Sequence, residues 1–452
     1  MSDHQGLTTT VEVVPAGPVQ GSIRPPGSKS LTNRALICAA FAAGQSTLTG
    51  ALRSDDTEVM IAALQTIGVG ITQSDAGRTL QVEGLPRAQV RRSDAPHELF
   101  IGNSGTTVRF LTAALSALGG RYRLHGVARM HERPIGDLVA ALTPVSDGEV
   151  SCESPGGCPP VSITTAGWSG DRLQVAGNVS SQYLSGLMMA APISGRQVSI
   201  EVLGELVSRP YVEMTAGIIG DFGAACELQA GATTAAGTES LMCRIDGRDG
   251  YRGRNYAIEP DASAASYFWA AAAITGGEVT VEGLSIDALQ GDVHFVDCLE
   301  QMGCRVDRRA DSITVAGPPQ LRGIDIDMNS ISDTVQTLSV VALFAEGPTT
   351  IRGVAHNRFK ETDRIGDLAC ELRKLGAEVS ETADGLVITP RPLQAATLET
   401  YEDHRMAMSL ALAGLKVPGV RILNPACTAK TYPEYFADLQ HLIGRPHLWC
   451  SE

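Results

Sequence analysis

No Cys-x-x-Cys pair occurs among the ten cysteines, and the closest pairs, Cys152 with Cys158 and Cys298 with Cys304, do not match zinc or redox spacings. Cys38, Cys298 and Cys370 fall in apolar helical stretches, where a thiol acts as a small hydrophobe, so neither a disulfide framework nor a zinc site is expected. No apolar run reaches the roughly 18 residues that a membrane span needs. Residues 1–21 carry no basic start followed by an apolar stretch, so the chain is expected in the cytosol, without a membrane partner. Basic residues are outnumbered: 36 Lys and Arg against 50 Asp and Glu give a net charge of −14. That balance argues against a nucleic-acid surface, where a basic face supplies most of the affinity. It leaves anionic small molecules open, because an acidic shell can enclose a locally basic site. Gly27-Ser28-Lys29-Ser30 ends like a phosphate loop but lacks the Walker spacing, no Gly-x-Gly-x-x-Gly follows a strand, and there is no His-Glu-x-x-His. Nothing visible calls for a nucleotide, a metal or an organic cofactor.

What the chain does have is a period. A punctuating residue ends a strand-like segment at Gly50, Gly126, Gly204, Gly283 and Gly353, and Asn424 takes the sixth place after Val420-Arg421-Ile422-Leu423. The successive spacings are 76, 78, 79, 70 and 71, the mark of internal repetition. Six βα-rich units therefore make up the 452 residues, an α/β chain long enough for two or three domains.

Each unit opens with a polar turn at a helix start: Ser28-Lys29-Ser30, Asn103-Ser104-Gly105-Thr106, Ser180-Ser181-Gln182, Pro260-Asp261-Ala262-Ser263, Ser332-Asp333-Thr334 and Glu402-Asp403-His404-Arg405. Helix starts carry unpaired N–H groups and the positive end of the dipole, so they attract anions. Any one such turn is equally well an ordinary N-cap. However, Lys29, Arg34 and Arg109 lie near caps where helices normally prefer acids. A cation such as Lys29 at a helix mouth is expected to serve a bound anion and to do nothing for the fold. The first three openings lack an acid and the last three carry Asp261, Asp333 and Asp403, so one half suits anions and the other adds proton-transfer groups.

Residues 26–257 are expected to form one domain of three units. Residues 258–452 form the other, joined by residues 1–25, whose strand over 11–14 returns to that half. The stretch 231–254 reads as a hairpin or a linker. Pro134 and Pro210 mark helix starts that place Arg133 and Arg209 at helix mouths. Loops after the punctuating residue carry Gln290-Gly291-Asp292, Lys360-Glu361-Thr362-Asp363-Arg364 and Cys427-Thr428-Ala429-Lys430-Thr431.

Pro26-Gly27-Ser28-Lys29-Ser30 with Asn33-Arg34, Gly102-Asn103-Ser104-Gly105-Thr106, Glu132-Arg133-Pro134-Ile135, Ser180-Ser181-Gln182, Lys360 to Arg364, Asp403-His404-Arg405-Met406-Ala407 and Cys427 to Thr431 together resemble the 5-enolpyruvylshikimate-3-phosphate (EPSP) synthase family. The likeness runs in order from about Gly21 to Leu439. It implies two domains of three βαβαββ repeats each, with helix starts facing an interdomain cleft. It also implies transfer of the enolpyruvyl group of phosphoenolpyruvate to the 5-hydroxyl of shikimate 3-phosphate, by a monomer without metal or cofactor. By resemblance, Lys29, Ser30, Arg34, Ser180, Ser181, Gln182, Ser208, Asp333 and Lys360 hold shikimate 3-phosphate. Lys29, Asn103, Gly105, Arg133, Gln182, Arg364, Arg405 and Lys430 hold phosphoenolpyruvate.

For the chemistry, Asp333 is expected as the base at the 5-hydroxyl and Glu361 as the acid at the methylene carbon, with Lys29 and His404 as further proton handlers. A buried carboxyl among anions suits Glu361 for donation. His356 stands where many relatives have Asn, Ser104 where Ala is usual, and Phe110 where Pro follows Arg109. Phosphoenolpyruvate-competitive inhibition by glyphosate is expected, weakened by Phe110. The UDP-N-acetylglucosamine enolpyruvyl transferases share the fold and the phosphoenolpyruvate chemistry, but they carry a reactive Cys in the loop that here runs from Gly126 to Arg133 without one. A non-catalytic anion-binding relative would have lost acids, whereas Asp333, Glu361 and His404 are all present.

Overall fold

The computed structural model describes residues 9–89, 93–177, 180–204, 206–233 and 239–451. Two units are present, Gly27–Ile258 and Glu259–Glu452 together with Met1–Pro26. Among the described residues each contains three four-stranded sheets of one pattern: an edge strand parallel to the second, which is antiparallel to the third, which is antiparallel to the far edge. In Gly27–Ile258 the first sheet runs Asn255–Ala257, Gln45–Thr49, Thr79–Glu83, Gly70–Ser74, so its leading strand comes from the far end of the unit's sequence. Tyr256 pairs with Leu48 and Leu48 with Leu80.

The other unit closes two sheets with residues from before the first helix. Gln20–Ile23 lies parallel to Glu278–Glu282, and Thr9–Glu12 lies between Arg421–Leu423 and Leu448–Ser451. The latter strand sits two residues earlier than the hydrophobic run suggests. Val11 and Val13 are both buried, and Val13 still donates to the Val420 carbonyl at 3.2 Å. Pro15, which has no N–H, closes off further pairing.

One inner helix belongs to each sheet: Lys29–Ala40, Gly105–Leu118, Ser181–Ser194, Ala262–Thr275, Val335–Ala342 and His404–Ala411. A helix that is apolar all round has no face for water, and Ala262–Thr275, without a charged residue, is buried along its whole length. Its Trp269 finds a partner for the indole N–H in the Ile313 carbonyl at 3.1 Å, as Trp168 does in Ser116 Oγ at 2.9 Å. Outer helices are two-faced. Gly366–Lys374 buries Leu368, Ala369, Glu371 and Leu372 and leaves Arg373 and Lys374 at the negative end of its dipole.

Four of the punctuating glycines, Gly50, Gly204, Gly283 and Gly353, are left-handed with φ between 70° and 83°, and Asn424 adopts the same region at φ 46°. Gly126 differs. It is not left-handed, but a Cβ there would lie 2.2 Å from the Gly102 carbonyl oxygen, so close backbone approach demands the glycine instead. The 231–254 stretch contains a hairpin arm, Glu239–Asp246 antiparallel to Ala225–Thr233, with residues 234–238 outside those described. Among the described residues no helix is long and apolar enough to cross a membrane.

Because Asn tolerates the left-handed region only at some cost, Asn424→Gly should leave stability level or raise it by a few tenths of a kcal/mol, while Asn424→Val should lower it by roughly 1–2 kcal/mol. Urea denaturation of the two variants measures both.

Candidate active site

In Gly27–Ile258 the three inner helices are capped by serines. Ser28 accepts from Leu31 N, Ser104 from Thr107 N and Ser180 from Gln182 N. An uncharged cap satisfies an N–H without neutralising the positive dipole end. Lys29, the first residue of its helix, has its Nζ 3.6 Å from the Asp56 carboxylate, which is 4% exposed on the outer helix Asp55–Thr66. Lys29 therefore has a structural partner, contrary to the expectation that it serves only a ligand: without it Asp56 would keep a buried charge.

Arg34 is also more enclosed than a ligand-facing cation. Its Nε donates to Thr215 Oγ1 at 2.8 Å, one Nη to the Ser30 carbonyl at 3.0 Å and the other to Ser185 Oγ at 3.2 Å. Phe110 and Tyr211 lie against the guanidinium at 5.1 and 5.8 Å. Burial pulls its pKa down to about 10, so the charge is kept. Ser30 is half-buried above it, and Ser181 and Ser208 are buried. Ser208, in the left-handed region at φ 54°, precedes the helix Arg209–Asp221. Arg209 turns to the surface and pairs with Glu213 at 2.8 Å, so it does not serve the helix mouth as Arg133 does.

Arg133 donates to the Asn103 carbonyl at 3.0 Å, and Arg109 donates to Gln182 Oε1 at 2.7 Å while lying 5.4 Å from the centre of the Tyr183 ring. Between them is Gly105: a Cβ there would sit 2.6 Å from an Arg133 Nη and 2.7 Å from an Arg109 Nη. Two guanidinium groups thus crowd the positive end of one helix. Like charges repel there unless an anion lies among them.

The unit of Glu259–Glu452 places its charges differently, in matched pairs. Arg364, 2% exposed, grips Asp403 with two bonds, Nε to Oδ2 at 2.7 Å and Nη2 to Oδ1 at 3.1 Å. It also donates to Glu361 at 2.8 Å and to Asp333 at 3.2 Å. Arg405 holds the other Asp333 oxygen at 2.8 Å, and Lys430 the other Glu361 oxygen at 3.1 Å. The buried carboxyl expected among anions at Glu361 instead bonds two cations, Arg364 and Lys430. Asp403 also caps its helix through Arg405 N at 2.9 Å, and the enclosed His404 ring has Nδ1 3.5 Å from the same carboxylate. Asp333 does not cap: a 3-10 turn, Asn329–Thr334, precedes Val335–Ala342, which leaves that carboxylate to the arginines.

His356 and Asp292, near this cluster, are among the groups shifted by burial. His356 is pushed down to about 4, with Lys360 adding to the effect. Asp292 is pushed up to about 7 by burial and then by Asp333; its carboxylate accepts from the Ser263 hydroxyl. Beside it Gln290 accepts from Ala262 N at 3.1 Å and donates to the Pro260 carbonyl at 2.7 Å, bracing the helix capped by Asp261. Asp56 and Asp292 escaped the sequence reading as site residues because acids in charged loops carry no local sign of burial. Asp403 was legible as a cap but not as the bidentate partner of Arg364, which lies 39 positions earlier.

The family model described as EPSP synthase (3-phosphoshikimate 1-carboxyvinyltransferase) matches residues 13–439. A 3-phosphoshikimate 1-carboxyvinyltransferase from Trichormus variabilis is 45% identical over 95% of this chain and 97% of its own. The chloroplastic enzyme of Solanum lycopersicum is 44% identical over 95% and 84% respectively. Among solved structures, EPSP synthase from Acinetobacter baumannii superposes with a TM-score of 0.80 at 25% identity, covering 98% of this chain and all of that one. The enolpyruvyl transferase NikO from Streptomyces tendae, 20% identical with a TM-score of 0.72, shares the fold.

The buried His356 has a pH signature. Its native pKa near 4 lies below the 6.5 of an unfolded histidine, so between these values the unfolded chain binds a proton that the native chain does not. This contribution is intact above pH 6.5 and is lost as pH falls toward 4. His356→Asn should shrink the stability lost between pH 7 and pH 4.5 by roughly 2 kcal/mol, read by denaturant titration at the two pH values.

Proposed function

The chain belongs to the EPSP synthase family, and from that premise we propose that it transfers the enolpyruvyl group of phosphoenolpyruvate to the 5-hydroxyl of shikimate 3-phosphate, releasing phosphate. The observation that carries the reading is a division of electrostatic labour. Arg109 and Arg133 crowd the helix start at Gly105, a place that suits a phosphate or carboxylate, while Asp333 and Glu361 are held by Arg364, Arg405 and Lys430.

Shikimate 3-phosphate is held by Lys29, Ser30, Ser180, Ser181, Gln182, Ser208, Lys360 and Asp333, over the buried charge of Arg34. Asn103, Gly105, Arg133 and Gln182, with Lys29, Arg364, Arg405 and Lys430, serve phosphoenolpyruvate. In the addition step Asp333 takes the 5-hydroxyl proton as the oxygen bonds to the central carbon of phosphoenolpyruvate. Glu361, which enters this step protonated, delivers its proton to the methylene carbon, and a tetrahedral ketal forms. Elimination takes a proton from the new methyl group back to Glu361 and breaks the C–O bond to phosphate as the alkene re-forms, while Asp333 passes its proton to the departing phosphate. The cations around the leaving group stabilise the charge that develops on it. His404, buried against Asp403, has a role at one remove from the proton transfers.

Mass spectrometry of the product from the two substrates tests the reaction, with UDP-N-acetylglucosamine as the competing acceptor. Formation of an enolpyruvyl product from that sugar alone would overturn the assignment. Glu361→Gln keeps the shape and both cationic neighbours, and should lower kcat by on the order of 100-fold or more with a near-normal melting temperature.

Phe110 allows a second test. It is the sixth residue of its helix and its ring lies on the Arg34 guanidinium. Phe110→Leu keeps the N–H but removes the ring, and should raise KM for shikimate 3-phosphate by about two- to fivefold without changing inhibition by glyphosate. Phe110→Pro also deletes the backbone bond that this N–H makes four residues back and stiffens the turn behind Gly105, so it should in addition lower the glyphosate inhibition constant.

A further inference from the structure

Glu371 has no part in the chemistry above, yet its side chain is wholly buried and fully engaged. One carboxylate oxygen accepts from the Tyr401 hydroxyl at 2.7 Å and from Lys374 Nζ at 2.8 Å. The other accepts from Lys374 Nζ at 2.7 Å and from Glu399 N at 2.9 Å. Glu399 in turn accepts from Thr400 N at 3.1 Å and Tyr401 N at 3.3 Å.

These bonds surround a strained turn. Tyr401 and Glu402 are consecutive non-glycine residues in the left-handed region, at φ 53° and 55°. Such a pair persists only where surrounding contacts over-determine it. Directly after it comes Asp403, whose N–H donates to the Thr400 carbonyl at 2.8 Å. The direction of the Asp403 carboxylate decides both the grip on Arg364 and the start of the helix that carries Arg405. Glu371 itself sits on Gly366–Lys374, the helix that begins just beyond Arg364. One buried carboxylate thus ties the segment of Glu361 and Arg364 to the segment of Asp403 and Arg405.

We propose that Glu371 and Tyr401 are positioning residues: they lock the left-handed Tyr401–Glu402 turn and thereby aim the Arg364 and Arg405 guanidinium groups at the phosphoenolpyruvate anion. The proposal rests on the reading that those two arginines bind that anion. A carboxylate is required because it accepts at both oxygens, whereas Gln at this place has one acceptor oxygen and turns an NH2 group toward another donor. Tyr401→Phe deletes one hydroxyl, keeps the ring, and should fold.

The test compares Tyr401→Phe, Glu371→Gln and, as a control, Arg405→Lys in the full chain, with each substrate varied at saturation of the other. Tyr401→Phe and Glu371→Gln should raise KM for phosphoenolpyruvate about tenfold, leave KM for shikimate 3-phosphate within about twofold, and change kcat far less. Amide hydrogen exchange over residues 399–405, measured without substrate, should quicken by about tenfold in both variants. An unchanged KM for phosphoenolpyruvate in Tyr401→Phe, where Arg405→Lys raises it, would overturn the positioning role. So would exchange that matches the parent, or a parallel rise in both KM values with a large fall in melting temperature. If Arg405→Lys leaves KM for phosphoenolpyruvate unaltered, the assignment of the anion site fails, and the exchange rates still report whether the turn is locked.

Discussion

Arg364 and Asp403 are withdrawn from water almost completely, and a charge so placed is tolerable only with its opposite at bonding distance. The bidentate geometry fixes the guanidinium plane, and the remaining donors then have little freedom in where they point. Those donors reach Glu361 and Asp333, so the two carboxylates proposed for proton transfer take their places from one buried pair. Asp403 also sets the first turn of the helix that presents Arg405, which returns to Asp333. The neutral state of the neighbouring His356 and the raised pKa of Asp292 follow from the same withdrawal from water.

The unit of Gly27–Ile258 meets the opposite electrostatic problem. Its helix mouths are capped by serines, which satisfy N–H groups without adding negative charge, and two arginines converge on Gly105. Repulsion among like charges is held there by anchors beneath: Gln182 on Arg109 and the Asn103 carbonyl on Arg133. Such a site is complementary to a bound anion. Paired acids in one unit and converging cations in the other match the two requirements of enolpyruvyl transfer, proton movement and stabilisation of a leaving phosphate.

The repeated module makes this possible. Each module has a strand that ends at a left-handed residue or a close backbone approach, and each inner helix is buried along most of its length. What varies between modules is the polar turn at the helix start, where the chemistry resides. The inner helix supplies a rigid base for these turns, and the two-faced outer helices close the core around it.

Much of this was legible in order along the chain. The spacing of Gly50, Gly126, Gly204, Gly283, Gly353 and Asn424 counted the modules because strand ends need a backbone conformation that few residues adopt. Serine and aspartate before apolar runs located five side-chain-capped helix starts, since capping is a local interaction over three residues. The motif from Lys360 to Arg364 and that from Asp403 to Ala407 pointed to the site's residue types. What only the tertiary structure decided was partnership and burial. That Lys29 faces Asp56, that Phe110 and Tyr211 enclose Arg34, that Asp333 lies between two arginines and that Glu371 anchors Tyr401 are contacts between segments far apart in sequence. The sequence by itself determined where polar groups interrupt the apolar period, because that is a property of neighbours along the chain. Which of those groups share a charge, and which are closed off from water, depends on packing across segments, and no local pattern records it.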